Sequence, residues 1–525
     1  MSATSPLDYS AAEHLGGQLQ TFDTLRQQGA PRRQTHHVDV AIIGAGPAGL
    51  VAAHTLAGAG LSVLIVEDGR FWPRGSFKRR QSWAARHLMQ EQATRVMRGN
   101  AFIPLTSGRG VGGGTLVNSA ICFRAPDAVL DQWVEDWGLD HFARDSRDAL
   151  YTEVESAIGV APTPAALAGQ NARVARRGFT RQGLKHAYMP RNAPGCIGCG
   201  TCQTGCPTGG KATADLTWLP GALRHHARLL ADTRAERLTL NARGHVTGLI
   251  AHTRNPDTGE PLVEHTIKAH RTLLAAGAIN TPILLLNQGL ANANGQVGLN
   301  LRVHPTCGVL AKFDDPIRLW AGATQGYYAH HPDDPEILLE TFSASPDVFL
   351  SQAARTGIDT SADFLRDFRF MAACGLLIRD QSTGQVTPGK DQRANIRYIL
   401  NRHDQRKLTR GLHTLVEMFF EAGSRDVMPM VRKTRFFKSV NAAKDHVRIH
   451  HTPGDLSLYA SHPMGTCRIG ADPQTCVARP ADGRAHHTEG LHIIDSSLFP
   501  TALGANPQLT IMAQALALSR RIAAG

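Results

Sequence analysis

The strongest constraint on the fold is the stretch from Val38 to Gly69, VDVAIIGAGPAGLVAAHTLAGAGLSVLIVEDG. A short apolar run leads into Gly44, Gly46 and Gly49 at G-x-G-x-x-G spacing. A small-residue helix follows, and then a second apolar run that ends at Glu67. Glycine is needed where a turn is tight, where backbone approaches a pyrophosphate and where a helix packs closely on its strand. The order predicts a βαβ unit whose glycines bind a dinucleotide and whose Glu67 accepts hydrogen bonds from ribose hydroxyls. It leaves open whether the dinucleotide is FAD or a nicotinamide, and an ordinary βαβ unit is the alternative.

Length and charge limit the class of protein. The chain has 525 residues, which exceeds one simple core, so we expect two interleaved domains. No run of about eighteen apolar residues occurs, and Met1 to Arg33 is polar without an apolar signal core. We therefore expect no transmembrane segment and a cytoplasmic location, with peripheral contact to a membrane as the alternative. The net charge of +12 is spread along the chain, which predicts a solvated basic surface and no nucleic-acid binding.

A second glycine-rich stretch, GRGVGGGTLVN from Gly108 to Asn118, follows the βαβ unit. Such glycine density suits backbone that lies against a flat or charged group, although a plain turn is the alternative. The pattern G-x-x-x-G-G-G-T-x-x-N resembles the flavin loop of the glucose-methanol-choline (GMC) oxidoreductases, and this resemblance implies that the dinucleotide is FAD. It implies that the following residues lie along the FAD: Gly112, Gly113, Gly114, Thr115 and Asn118.

The C-terminal part resembles the same family. SHPMGTCRIGADP begins at Ser461, and the resemblance implies that His462 is the catalytic base. It also implies that Asp495 lies on the FAD linker and that Asn506 is a second catalytic residue beside the substrate. Asn506-Pro507 further predicts a helix start, with Asn506 as its cap and its positive end facing the flavin. The alternatives are a core histidine and a plain helix cap. In VGLNLRVHP, which also resembles the family, we expect His304 to be structural and to hydrogen-bond backbone.

Four cysteines form the run CIGCGTCQTGCPTGGK from Cys196 to Lys211. Cys196, Cys199, Cys202 and Cys206 match the C-x2-C-x2-C-x3-C-P spacing of bacterial ferredoxins, which predicts an iron-sulfur cluster of the 4Fe-4S or 3Fe-4S type. Zinc is less expected, because structural zinc usually draws its cysteines from separate knuckles. The run is also similar to an element of the long-chain alcohol oxidase branch of the family, and this similarity suits cysteines that shape a loop. A structural role is therefore the alternative.

The resemblance, which covers separated segments in family order, implies an α/β protein with a discontinuous, doubly wound FAD-binding domain over residues 37–125, 211–310 and 456–525. Residues 126–210 are expected to form a cap and cysteine-rich insertion, and residues 311–455 a mixed-sheet α+β substrate domain. The resemblance implies oxidation of a primary or apolar alcohol by hydride transfer to flavin N5. The predicted iron-sulfur cluster would pass the electrons singly to an external acceptor such as a cytochrome, a quinone or a ferredoxin-like protein. The alternatives are an oxidase that uses oxygen directly, a non-catalytic flavin scaffold and a small electron-transfer module.

Overall fold

The computed structural model describes residues 18–350, 362–390 and 393–525. Residues 1–17 of the polar N-terminal segment lie outside the described residues. The strands, in chain order, are β1 (Leu19–Gln20), β2 (Arg33–Ile43), β3 (Val63–Val66), β4 (Val96–Gly99), β5 (Ile103–Pro104), β6 (Ala161–Pro162), β7 (His186–Tyr188), β8 (Pro190–Arg191), β9 (Arg228–Leu230), β10 (Thr233–Leu240), β11 (Val246–Arg254), β12 (Pro261–Leu274), β13 (Thr306–Lys312), β14 (Tyr327–His330), β15 (Ile337–Thr341), β16 (Met371–Ile378), β17 (Gly384–Pro388), β18 (Ala394–Tyr398), β19 (Asp426–Pro429) and β20 (Leu491–Ile493).

The α-helices lie between these strands or after the last of them. In chain order they are α1 (Phe22–Gln27), α2 (Pro47–Gly58), α3 (Gln81–Leu88), α4 (Asp127–Trp137), α5 (Arg147–Ile158), α6 (Gly169–Arg181), α7 (Ala214–Thr217), α8 (Leu219–Arg224), α9 (Gly277–Leu286), α10 (Ala362–Asp367), α11 (Arg402–Glu421), α12 (Val440–Ile449) and α13 (Gln508–Ala524). Among the helices in the described parts of the chain, none is long and apolar enough to cross a membrane.

The first sheet contains the parallel strands that the opening stretch predicts. Its order is β1-β9-β3-β2-β12-β11-β10, and β20 pairs with the end of β12. Pairing is parallel from β1 through β12 and between β12 and β20, whereas β11 and β10 join through antiparallel pairing. Helix α2 connects β2 to β3 and packs against α13. The carboxyl ends of the parallel strands form the edge where such sheets bind ligands.

Close contacts explain why the turn between β2 and α2 is built from glycine. A Cβ atom on Gly44 would lie 2.5 Å from the carbonyl oxygen of Ala275, and one on Gly49 would lie 1.9 Å from the carbonyl oxygen of Gly44. Gly44 also has a φ of +108°, which side chains other than glycine rarely adopt. The two glycines therefore let α2 pack directly on β2 and on the end of β12.

The second domain is built on a six-stranded sheet of order β19-β13-β16-β15-β14-β7. Every pairing in this sheet is antiparallel. The mixed pairing that the sequence predicts occurs in a smaller sheet of order β17-β18-β4-β5, where β18 and β4 run parallel. Helices α6 and α11 pack together against the six-stranded sheet.

Each large sheet has its own hydrophobic core. The predicted domain limits stay a prediction, but the packing adds that β4, β5 and α6 contribute to the second core although they precede residue 311. These segments pair with or pack on strands that lie far away along the chain, and such tertiary partners cannot be identified from local pattern.

Candidate functional site

A cavity of about 730 Å³ lies where the carboxyl ends of the parallel strands meet the six-stranded sheet. It collects most of the residues that the sequence predicts for the site. Those that line it are Gly44, Gly46, Glu67, Gly113, Gly114, Thr115, Asn118, His462, Asp495, Asn506 and Pro507. Gly49 and Gly112 lie behind this wall: Gly49 packs against Gly44, and the Gly112 amide donates to the carbonyl oxygen of Ala45 at 2.8 Å.

Glu67 lies at the end of β3, as predicted, and its carboxylate holds the surrounding backbone. Its Oε2 accepts a hydrogen bond from the Ala45 amide at 2.9 Å, and its Oε1 accepts from the amides of Gly69 and Gly110 at 2.8 and 3.2 Å. Burial raises the pKa of Glu67 to about 7, although the hydrogen bonds from the Ala45 and Gly69 amides oppose the shift. Oε2 accepts from one amide only, so its second lone pair can also accept a hydrogen bond from a ligand.

The glycine-rich segments leave the backbone open on the cavity side. A Cβ atom added to Gly114 or Gly277 would meet no atom within 4 Å, so it would extend into the cavity. One added to Gly113 would lie 2.7 Å from Cα of Gly46, so the flavin-loop segment rests on the first turn of α2. That turn has glycine at its cap position and Pro47 at its first residue, and no side chain caps it. Free backbone amides beside open space are a donor set that fits the phosphates and ring of FAD.

Thr115, Asn118 and Asp495 hold the cavity wall through hydrogen bonds. The Thr115 hydroxyl donates to the carbonyl oxygen of Gly112 at 2.6 Å. The amide of Asn118 donates to the side chain of Gln508 at the start of α13. Asp495 accepts from the amide of Gly277 at 2.8 Å and from the amide of Ser497 at 2.8 Å, and burial raises its pKa.

His462 is half-buried, and its ring forms part of the cavity wall. Burial lowers the pKa of His462 to about 4, so the imidazole is neutral near pH 7. The ring of His304 contacts the ring of His462, with 3.4 Å between the two Nδ1 atoms. As expected, His304 hydrogen-bonds backbone: its Nε2 accepts from the Gly504 amide at 2.9 Å. The proton of neutral His304 therefore lies on Nδ1 and points at Nδ1 of His462.

Asn506 is not the helix cap that the Asn-Pro pattern predicts, and that expectation is corrected. Helix α13 begins at Gln508 with Pro507 in the cap position, and no side chain caps it. The Oδ1 atom of Asn506 is buried and has no hydrogen-bond partner within the described residues. Because the chain turns one residue later than the pattern suggests, the amide of Asn506 lines the cavity instead.

The wall contributed by the second domain is largely apolar. Phe342, Val348, Leu377 and Met430 line it. Glu340 on β15 lies among them, and sequence reasoning missed this residue. The signal that could have found it is a single carboxyl directly after three apolar residues in the strand Ile337–Thr341, of sequence ILLET.

The cysteine run does not support the predicted iron-sulfur cluster. Within the described residues, no three His, Cys, Asp or Glu side chains are grouped so that they could hold a metal ion. The four cysteines surround a small space, and each sulfur faces a hydrogen-bonding group of the protein. Arg191 donates to Sγ of Cys202 at 3.2 Å and reaches Sγ of Cys196 at 3.8 Å.

The other two sulfurs of the run are also engaged. Sγ of Cys199 faces the Thr201 hydroxyl at 3.1 Å, and Sγ of Cys206 accepts from the Lys211 amide at 3.4 Å. Burial raises the pKa of the Cys202 thiol, but the cations of Arg191 and Lys211 outweigh burial and hold it below its usual range. The arrangement is that of a loop held by cation–thiol contacts.

Comparison with known proteins agrees with this architecture. Two family models described as GMC oxidoreductase match residues 39–306 and 380–515. A relative named as an uncharacterized GMC-type oxidoreductase of Mycobacterium tuberculosis is 33% identical over 92% of this chain and 75% of its own length. A long-chain-alcohol oxidase of Arabidopsis thaliana is 27% identical over 94% of this chain and 67% of its own length.

Solved structures share the fold. Pyridoxine 4-oxidase from Mesorbium loti has a TM-score of 0.69 at 20% identity, over 92% of this chain and 98% of its own. A formate oxidase from Aspergillus oryzae, solved to follow the effect of a mutation on FAD modification, has a TM-score of 0.70 at 16% identity, over 93% of this chain and 98% of its own. The predicted α/β fold class is confirmed, and the glycine-lined cavity fits the FAD of such enzymes. Since the two family models cover more than half of its length, the chain belongs to the GMC oxidoreductase family and is an FAD-dependent oxidoreductase.

Proposed function

We propose that this protein oxidises a primary alcohol with a long or otherwise apolar chain to the corresponding carbonyl compound. The observation that carries the proposal is a pair of polar side chains, His462 and Asn506, in the same cavity as an apolar wall. A reacting hydroxyl group needs polar partners, whereas the rest of a long alkyl chain gains free energy when apolar surface is buried. The Arabidopsis relatives named long-chain-alcohol oxidases support this substrate class.

The proposed cofactor site combines backbone and side chains. The residues that would hold FAD directly are Gly44, Gly46, Glu67, Gly113, Gly114, Thr115, Asn118, Asp495, Asn506 and Pro507, and Gly49 and Gly112 support them by close packing. Bound FAD supplies the acceptor for the hydride that leaves the carbinol carbon.

His462 is the proposed acceptor of the hydroxyl proton. Its pKa of about 4 keeps it neutral, so a nitrogen lone pair is present at physiological pH. A positioned general base contributes about 10²-fold to 10⁴-fold to a rate. Asn506 would hold the same substrate oxygen, which keeps the proton and the hydride in one fixed geometry.

The contact with His304 makes the reactive tautomer of His462 less favourable in free energy. Accepting a proton on Nε2 requires the neutral tautomer of His462 that carries hydrogen on Nδ1, where His304 already points its own proton. With hydrogen on both Nδ1 atoms, two buried N–H donors face each other and the hydrogen bond is lost, which costs about 1–3 kcal/mol and lowers the share of the reactive tautomer about fivefold to 10²-fold. The contact with His304 therefore offsets part of the rate gain from a positioned base.

Oxygen is a second candidate for the electron acceptor, beside an external carrier. In the described part of the chain, no group of side chains could hold the predicted iron-sulfur cluster, which would have passed electrons one at a time to an external carrier. Several of the similar proteins are named oxidases.

The direct test of the proposed function is to mix the FAD-loaded protein with 1-dodecanol in the absence of oxygen and to follow flavin absorbance, with glucose as the comparison substrate. Bleaching by dodecanol and not by glucose is expected. Recolouring by oxygen at the turnover rate favours the oxidase, and a flavin that no alcohol bleaches contradicts the proposed function.

A further inference from the structure

The small sheet of order β17-β18-β4-β5 carries a concentrated positive charge. The segments 96–104, 384–390 and 393–403 include its four strands, and they contain five basic residues and no acidic one. The five, all exposed, are Arg98, Lys390, Arg393, Arg397 and Arg402. None of the four arginines forms an ion pair with a carboxylate of the described residues. The charge of this sheet is therefore not balanced within the described part of the chain.

Two of these cations are immediate neighbours. Arg98 on β4 and Arg397 on β18 are paired directly in the parallel register. Ile396 and Tyr398, on either side of Arg397, are buried, and so is Met97 beside Arg98. Both guanidinium groups therefore extend from the solvent face of the sheet. Like charges on paired residues destabilise a sheet, and an anionic surface against this face would remove the repulsion.

Two large apolar side chains are exposed at the end of the same sheet. Phe102 is 53% exposed, and Ile399 is 41% exposed. Asn100 fixes the turn that carries Phe102 to the end of β18, because its Nδ2 donates to the carbonyl oxygen of Leu400 at 2.8 Å and its Oδ1 accepts from the Leu400 amide at 3.0 Å. Apolar groups held in water in this way gain free energy when a partner covers them. The basic-apolar face is defined here as the exposed side chains of Arg98, Phe102, Arg397, Ile399 and Arg402.

This face continues into the cavity. Arg95, directly before β4, and Arg393 and Ala394, at the start of β18, line the cavity. Arg393 is also exposed, so the cavity reaches the protein surface at this point. Because β4 and β18 run parallel, both strands lead from the cavity to the exposed end of the sheet. At a rise of about 3.3 Å per residue, Ala394 and Ile399 are about 17 Å apart.

We propose that the basic-apolar face docks on the surface of an anionic lipid bilayer. Its arginines pair with the phosphates and carboxylates of the lipid head groups, and Phe102 and Ile399 insert between them. Charge alone would fit an acidic soluble protein equally well, but apolar side chains held at the edge of a cavity with an apolar wall favour lipid. An apolar alcohol dissolved in the bilayer then enters the cavity without crossing water, a step that rests on the proposed function.

Vesicle binding tests the docking without any alcohol. The FAD-loaded enzyme is expected to sediment with vesicles of equal parts phosphatidylcholine and phosphatidylserine, less so at high salt, and hardly at all with phosphatidylcholine alone. One basic residue at an anionic bilayer is worth about fivefold in partitioning, so Arg98→Gln/Arg397→Gln should weaken binding about 10-fold to 30-fold. Phe102→Ser should weaken it about fivefold to 30-fold.

The first sheet supplies matched controls. Arg237→Gln/Arg243→Gln removes the same charge from exposed positions on β10 and in the turn after it. Leu240→Ser, at a position 45% exposed on β10, matches Phe102→Ser. Both controls should bind vesicles as the wild-type enzyme does, and thermal unfolding should show that all four variants are folded.

A kinetic measurement tests the delivery of substrate. With 1-dodecanol dissolved in the anionic vesicles, Arg98→Gln/Arg397→Gln and Phe102→Ser should raise KM about 10-fold and leave kcat unchanged. An unchanged KM would contradict entry of the alcohol from the bilayer.

Three results overturn the docking itself: no binding to the anionic vesicles, an equal loss of binding in the controls, or a loss in the arginine variant with none in Phe102→Ser, which would indicate an acidic soluble partner. If no alcohol bleaches the flavin, the proposed function fails, and vesicle binding still decides whether this face docks.

Discussion

The two walls of the cavity are built in different ways. On the nucleotide side the wall is backbone, and Gly44 and Gly113 let segments approach each other more closely than any side chain allows. On the substrate side the wall is made of side chains, and Glu340, His462 and Asn506 come from segments far apart along the chain. The backbone wall depends on steric exclusion, whereas the side-chain wall depends on the protonation state and orientation of a few polar groups. The two walls should therefore respond differently to substitution.

The largest expected effect is on the backbone wall. A methyl group on Gly44 would lie 2.5 Å from the carbonyl oxygen of Ala275, and the residue has a φ of +108°. Overpacking and left-handed backbone together cost about 3 kcal/mol or more, so Gly44→Ala should be purified without FAD or fail to fold. FAD absorbance and thermal unfolding measure this.

Gly75→Ala is the matched control, because Gly75 is exposed and an added Cβ meets no atom within 4 Å. It should keep its FAD and the wild-type melting temperature. Full FAD occupancy in Gly44→Ala would contradict the steric account of this wall.

On the side-chain wall, His462→Ala is expected to keep FAD bound while flavin reduction by alcohol falls about 10²-fold to 10⁴-fold. The reason is that the neutral ring would no longer accept the hydroxyl proton. His403→Ala, on the exposed side of α11, is the control. Reduction of His462→Ala at nearly the wild-type rate would remove this residue from the mechanism.

The pH dependence of reduction follows from the same residue. His462 is active when neutral, and burial lowers its pKa to about 4. The rate of flavin reduction should therefore stay constant as pH falls from 7 and decline only as pH approaches about 4. A decline centred at the ordinary histidine pKa of about 6.5 would show that the ring is not desolvated as the structure indicates.

A smaller effect on flavin reduction is expected from substitution of Asn506. Asn401, which caps a helix, provides the comparison. Asn506→Ser removes the amide from the cavity, so flavin reduction should slow about 10-fold to 10²-fold with little change in melting temperature. Asn401 does cap a helix: its side chain accepts from the Asp404 amide of α11 at 2.8 Å. Asn401→Ala should lower the free energy of unfolding by about 1 kcal/mol and leave reduction unchanged. If Asn506→Ser instead lowered the free energy of unfolding and left flavin reduction unchanged, Asn506 would be a helix cap after all.

The same contrast shows what the sequence can predict. Steric requirements are local, so the glycines from Gly44 to Gly49 and the acid at Glu67 identified the nucleotide fold. His462 and Asn506 were found through resemblance, and the cap assigned to Asn506 was wrong because the helix starts at Gln508. Glu340 was missed because a lone acid in a short strand is also typical of an exposed position, and only the tertiary fold turns it toward the cavity.

The iron-sulfur prediction for the cysteine run finds no support in the described residues, for a related reason. Spacing fixes the order of Cys196, Cys199, Cys202 and Cys206 along the chain, but it does not fix the direction of each sulfur. Arg191, which lies outside the run, engages two of these sulfurs. The contacts of these sulfurs therefore depend on a residue that precedes the motif, and the spacing of the cysteines does not contain that information.

The smallest expected effects concern this cysteine loop. Cys202 is buried and accepts from Arg191 at 3.2 Å, whereas Cys199 is partly exposed and faces only the hydroxyl of Thr201 among its recorded hydrogen-bonding partners. Cys202→Ala leaves the Arg191 guanidinium without this acceptor and should lower the free energy of unfolding by about 1–2 kcal/mol. Cys199→Ala should change it by less than about 0.5 kcal/mol. Thermal unfolding separates the two, and both variants should retain FAD and alcohol-dependent reduction. An equal and large loss of unfolding free energy in the two variants, together with loss of bound iron, would contradict the loop interpretation. Two ligands of one cluster would be expected to have the same effect when removed, whereas two separate contacts would not.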